Sequence, residues 1–146
     1  MKTSTLVKAV CVTAVLLVAS ATIAADPSPK TPPSLLDRLE RTLKGDDKPF
    51  AIVINVDIRP EAAAKFEAAA AKAAKASHGD EGCLAYDFHR DLEKPGHYTL
   101  IERWTGLTSL RKHLEKAHTK QIQAAFAEFG VGPRTANIFA PLDGKE

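Results

Sequence analysis

The sequence predicts a small α+β domain whose elements run in the order β-α-β-β-α-β. Three patterns carry this reading. Ile52, Ile54, Val56 and Ile58 alternate with smaller or polar residues, two further alternating stretches flank Lys94-Pro95-Gly96, and apolar residues at helical spacing follow the first and third of these stretches.

The first strand is FAIVINVDI, rich in β-branched side chains and opening the domain after Pro49. Pro60 then suits the first turn of a helix, where a fixed φ and a missing N–H cost little. The following residues to Ser77 are rich in alanine, with Phe66, Ala69, Ala70 and Ala73 on one face for close packing on a sheet. Gly79 and Gly82 bracket a turn, after which Leu84, Tyr86 and Phe88 alternate as a second strand. The Lys94-Pro95-Gly96 turn leads back into HYTLIERW, so these two strands form a hairpin. Leu107, Leu110, Leu114 and Ala117 mark a helix, and Ile122, Ala125, Phe126 and Phe129 its continuation or a second one. Gly130, Gly132 and Pro133 stop that pattern, and Thr135 to Ala140 read as a last short strand. The order is that of a ferredoxin-like split βαβ unit.

Ahead of the domain the chain changes character twice. Lys2 and Lys8, an uncharged run from Ala9 to Val18, and small residues through Ala25 have the form of a secretory signal, so residues 1–25 are expected to be removed and the protein to be secreted or periplasmic. The run is shorter than the roughly 20 residues a membrane span needs, so no stable membrane insertion is expected after cleavage. Residues 26–48 begin with DPSPKTPP, a tether composition that favours extended backbone. Ser34 and Asp37 then form a capping-box pattern ahead of Leu35, Leu36, Leu39 and Leu43, predicting a short amphipathic helix that docks on its own domain or on a partner. The domain is assigned to residues 49–141 and residues 142–146 to a C-terminal tail.

The formal charge of +2 falls to zero once Lys2 and Lys8 are gone, which leaves no electrostatic ground for nucleic acid or an anionic membrane as partner. Only Cys83 of the two cysteines lies beyond the signal, so an intrachain disulfide is not available to the mature chain. Stability must come from the core, and a domain of roughly 95 residues gains from burying more surface in a homodimer.

DEGCLAYDFHRDLEKPGHYTLIERWTGLTSLRKHLEKAHTK resembles the central stretch of the antibiotic biosynthesis monooxygenase (ABM) domain family, which includes small quinol monooxygenases. The resemblance rests on Glu81-Gly82-Cys83 before a strand with Tyr86, on Glu102-x-Trp104, and on the two histidines His113 and His118. It spans Phe50 to about Pro141. It implies a ferredoxin-like homodimer, a dimeric α/β barrel, with a pocket between each sheet and its helices. It further implies oxidation of a small phenolic or quinol substrate by O2 with no metal or organic cofactor. Other members degrade haem, isomerise small signalling molecules or have no demonstrated activity, so haem binding and a non-catalytic ligand-binding module at the cell envelope stand as alternatives.

Cofactor-free oxygenation needs a base and a dry pocket, and histidine has a suitable pKa. His113 beside the apolar helix face is the candidate base, or else a core histidine satisfied by a hydrogen bond. Five residues on along a continuous helix, His118 would fall on another face, which argues against a shared metal and for a helix-end role. Trp104 could wall the pocket and donate its indole N–H to a ligand oxygen, or simply fill the core. Asn55 would contact ligand or pair with a neighbouring strand. Tyr86 and Glu102 are further pocket candidates, with Glu102 holding a histidine or arginine. Cys83 shows no base beside it and reads as an inert turn residue.

The secreted protein is expected to begin at Ala25 or Asp26. N-terminal sequencing checks this, and a mature chain that still carries Met1 would contradict it.

Overall fold

The computed structural model describes residues 32–45 and 47–142. The signal sequence and the first part of the tether lie outside them, as do most of the tail residues. Helix α1 (Leu35–Leu43) is followed by β1 (Phe50–Ile58), a single 3-10 turn at Pro60–Ala62 and α2 (Ala63–Ser77). The hairpin β2 (Cys83–Arg90) and β3 (His97–Trp104) comes next, then α3 (Leu107–Leu114), α4 (Ala117–Phe129) and β4 (Gly130–Phe139). The strands form one antiparallel sheet in the order β2-β3-β1-β4, which is the ferredoxin-like arrangement.

Alternation along the strands decides which face meets the helices. Ile52, Val56, Tyr86, Tyr98, Leu100 and Trp104 are buried under α2, α3 and α4. Phe66 sits at the centre of this core, with ring centroids 4.9 Å from Tyr98, 5.7 Å from Phe126 and 5.9 Å from Phe88. Gly96 closes the hairpin at φ 85°, and a Cβ there would stand 2.8 Å from the Ile58 carbonyl oxygen, so the turn requires glycine. The Gly130 pattern acts differently from the expectation: β4 starts directly at Gly130 rather than at Thr135. Its pairing with β1 slips between Asn55 and Asp57, and this irregularity lets the strand leave the helix with no intervening loop.

Two readings of the helices resolve. The amphipathic segment docks on its own domain as α1, with Leu39 completely buried. Its capping box is present, the Ser34 hydroxyl accepting from the Asp37 N–H at 3.2 Å and the Asp37 carboxylate from the Ser34 N–H at 3.0 Å. Arg38 donates to the Ala136 carbonyl at 2.9 Å and Arg111 pairs with Glu40, which ties α1 to β4 and α3. The segment after β3 forms two helices, because the chain turns extended at Lys116 before α4 begins. Among the described residues, no helix is long and apolar enough to cross a membrane.

Leu39→Ala should lower unfolding stability by about 2–5 kcal/mol, the usual cost of emptying a buried leucine site. Urea denaturation checks it, and an unchanged midpoint would contradict the docking of α1.

Candidate functional site

A cavity of about 410 Å³ lies between the helix-facing side of the sheet and the helices α1, α3 and α4. Its walls are apolar, with Leu35 and Leu39 from α1, Ile52 and Leu100 from the sheet, and Ile122 and Phe126 from α4. Tyr86, Glu102, His113 and Thr119 bring polar atoms to it. A volume of this order suits a small organic ligand, and a mostly apolar lining with few polar groups is the usual composition of such sites.

His113 is almost wholly buried, and the helix break beside it explains its surroundings. The Thr119 hydroxyl, on the first turn of α4, donates to the His113 carbonyl at 2.6 Å and caps the end of α3. This sharp return brings His118 back toward His113, with ring centroids 5.4 Å apart. Both imidazoles reach one carboxylate oxygen of Asp80, His113 through Nδ1 at 2.7 Å and His118 through Nε2 at 2.8 Å. The expected placement of the two histidines on different faces is therefore corrected. That inference assumed a continuous helix, whereas two short helices converge on the turn that follows α2. The turn itself is pinned: the Gly82 carbonyl accepts from the Thr105 N–H at 2.9 Å, and at φ 78° a Cβ on Gly82 would meet the Ser109 hydroxyl.

Electrostatics fix the protons of this cluster. Burial tends to raise the Asp80 carboxyl, but hydrogen bonds from His113 and His118 hold it below its ordinary value, so it is ionised. An ionised carboxylate only accepts, so both imidazole nitrogens that face it carry protons. Burial lowers the His113 pKa, against a smaller opposing pull from Asp80, so the ring is neutral near pH 7. A neutral ring with its proton on Nδ1 keeps a lone pair on Nε2. The Thr119 oxygen lies 3.1 Å from that nitrogen, but its one proton is directed to the carbonyl. The arrangement is a neutral imidazole held in one tautomer on the wall of a mostly apolar cavity.

The remaining sequence candidates divide. Tyr86 lines the cavity, its ring 5.1 Å from that of His113, and burial raises its pKa, so it remains a phenol. Glu102 also lines the cavity, but its partner is neither a histidine nor an arginine: one carboxylate oxygen accepts from the Trp104 indole N–H at 3.0 Å. Burial pushes the Glu102 carboxyl up to about 7 despite that hydrogen bond. Trp104 does not line the cavity. It is fully buried behind His113, 4.6 Å between ring centroids, and its N–H is spent on Glu102 rather than offered to a ligand. Asn55 takes the strand-pairing alternative rather than a place at the cavity. It lies on the other face of the sheet, where its amide accepts from Thr99 at 2.8 Å and donates to Thr135 at 3.4 Å across both neighbouring strands. Burial holds the Cys83 thiol up near 11, which agrees with an inert cysteine.

Asp80, Thr119 and the cavity wall formed by α1 escape a sequence reading. Asp80 carried a signal only in its position between Gly79 and Gly82. Asp80, His113 and His118 each offer one ligand atom, all within 4.8 Å of one another, so the same three side chains could hold a divalent transition ion. The argument against a shared metal rested on the two histidines lying on different faces of one continuous helix, and the break between α3 and α4 removes that premise.

Residues 49–125, which span β1 to the middle of α4 and include Asp80 and both histidines, match the antibiotic biosynthesis monooxygenase family model. The chain belongs to this family. An uncharacterised Synechocystis protein is 25% identical over 77 residues, and the chain spans about half the length of that curated relative, 52% of it against 53% of this chain. Among solved structures, a Mycobacterium tuberculosis protein aligns with TM-score 0.61 at 24% identity, covering 68% of this chain and all of its own. A Nitrosomonas europaea protein named for the antibiotic biosynthesis monooxygenases gives TM-score 0.63 at 17% identity, covering 69% and 97%. At these identities the likeness is one of fold. Helix α1, which closes the cavity, lies outside the residues that match the family model.

The raised pKa of Glu102 has a signed consequence. The folded protein keeps a proton that the unfolded chain releases, so stability falls as pH rises from about 4.5 to about 7 and levels off above. Glu102→Gln should therefore gain unfolding midpoint relative to the parent as pH rises through that window. Thermal unfolding at pH 4, 6 and 8 checks it, and a constant difference would contradict the assignment.

Proposed function

We propose that the protein is a cofactor-independent monooxygenase that oxidises a small phenolic or quinol compound with O2 in this cavity, with His113 as the base. The observation that carries the reading is the buried, neutral His113 on the cavity wall, its Nδ1–H committed to Asp80. Family membership supports the general class of reaction.

The substrate hydroxyl gives its proton to His113 Nε2, and Asp80 stabilises the imidazolium that forms. The resulting anion is electron-rich enough to pass one electron to O2, and the radical pair combines to form a carbon–oxygen bond. Loss of water from the hydroperoxide breaks the O–O bond. One oxygen atom enters the product, the other leaves as water, and the four electrons come from the substrate, a quinol leaving as a hydroxylated quinone. No external reductant is needed. The apolar walls exclude water from the charged intermediates, and the Tyr86 phenol is the donor for the substrate oxygen. In this proposal Asn55 and Trp104 act structurally, Trp104 by holding Glu102.

The protein is further proposed to be exported and to form a homodimer. The dimer reading is supported by the second sheet face, on which no helix packs among the described residues and which carries Val53, Ile101 and the half-exposed Phe139 alongside Asn55. A second catalytic reading rests on the Asp80, His113 and His118 cluster, which as a transition-ion site would move activation of oxygen to the metal.

An oxygen electrode and a panel of quinols test the proposal. His113→Ala should lower turnover by roughly 10²-fold or more, as loss of a general base does. His118→Ala should change it little, because His118 is not part of the cavity wall and the Asp80 bond to His113 remains. Equal rates for folded His113→Ala and the parent would contradict the base. Equal large losses in both variants, with one ion per chain by elemental analysis, would favour the metal.

A further inference from the structure

The polar groups of the cavity are sorted by depth. Glu102, His113 and Thr119 are buried, whereas Arg134 on β4 is exposed and Arg38 on α1 is half-buried, so the two arginines mark the mouth. Each is positioned without being neutralised. Arg38 spends one N–H on the Ala136 carbonyl, and the Arg134 guanidinium lies over the Phe126 ring, 4.8 Å from its centroid. A ring contact does not occupy all five guanidinium N–H donors. Among the described residues neither arginine makes an ion pair with a carboxylate. Two fixed, unneutralised guanidinium groups thus border a mostly apolar cavity.

We propose that the ligand of this cavity is an aromatic acid, its ring against the apolar walls and its carboxylate held at the mouth by Arg38 and Arg134. The proposal rests on the oxygenase reading only for the location of the chemistry, and it names the substrate class that reading leaves open. Planar carboxylates match the guanidinium fork in a way that neutral oxygens do not. The depth order fixes the ligand's direction. A carboxylate driven to the floor would meet Glu102, which is ionised above about pH 7, and would lose water without a cation to replace it. With the acid group outward, the oxidisable hydroxyl of a hydroxylated ring points inward, toward Tyr86 and His113. Arg38 also gives α1 a role that its leucines alone would not: the helix carries half of the anion clamp and closes the apolar cavity with the same turn. Half of the clamp, Arg38, is thus carried by a helix that lies outside the residues matched by the family model.

Binding can be read without turnover by using non-oxidisable probes. Calorimetric titration of residues 26–146 with 2-naphthoate and with 2-naphthamide, at low ionic strength and pH 7, compares an anion with its neutral counterpart of similar shape. The naphthoate should bind about tenfold or more tightly, as expected for a charge-assisted pair at a partly exposed site. Arg38→Gln and Arg134→Gln should each remove much of that preference, and the double variant all of it, the preference being read as the ratio of the two affinities within each variant so that any loosening of α1 acts on both probes alike. Arg134→Lys, which keeps the charge, should retain part of it. Equal affinities for the two probes, a preference that survives in the double variant, or no binding of naphthoate at millimolar concentration would overturn the proposal. A naphthoate site of the expected kind in a protein that oxidises neither quinols nor hydroxylated aromatic acids would leave the anion clamp standing and remove the oxygenase.

Discussion

One carboxylate organises the site. Asp80 receives two imidazole hydrogen bonds on a single oxygen, and through them the turn after α2 is joined to the end of α3 and the start of α4. A buried carboxylate without such donors would be costly, so the cluster holds together as a unit: ionised Asp80 requires protonated nitrogens, and these require the helix break. The break is maintained by the Thr119 hydroxyl on the His113 carbonyl. The same set of bonds therefore shapes the backbone and selects the tautomer of His113.

The cavity follows from the packing of small and large residues around that cluster. Alanines on α2 let the helix lie close to the hairpin side of the sheet, where Phe66 gathers Phe88, Tyr98 and Phe126. On the other side α1 supplies leucines over a space that α3 and α4 do not fill. The division of labour is electrostatic as well as steric. A base sits at depth beside a carboxyl that is close to half-protonated at neutral pH, and cationic groups stand at the mouth. In the proposed function this gradient is what orients an amphipathic ligand.

Periodicity was enough to place β1, β2 and β3, because each faces the helices with alternate residues and the apolar pattern records it, whereas the exposed first half of β4 has no such pattern and reads as a stop. It also revealed α1, whose capping box and leucine spacing are both local. What it missed depends on contacts between distant elements. Glu115 and Lys116 contain neither proline nor glycine, so nothing local marks the break that brings His118 to Asp80. Asn55 stood out as an amide among β-branched residues, yet strand alternation alone puts it opposite Ile54 and Val56. Its partners Thr99 and Thr135 become visible only with the sheet register. Trp104 and Glu102 were both singled out, but their mutual bond, two residues apart on one strand face, directs the indole away from ligand.

The central claim is that Asp80 holds His113 as a neutral base with the proton on Nδ1. Nitrogen NMR of the ¹⁵N-histidine-labelled protein at pH 7 reads this directly, with resonances assigned by the loss of signals in His113→Ala. The account predicts a protonated, pyrrole-type Nδ1 and an unprotonated, pyridine-type Nε2 for His113. An imidazolium with both nitrogens protonated, or the opposite tautomer with Nδ1 bare, would contradict it.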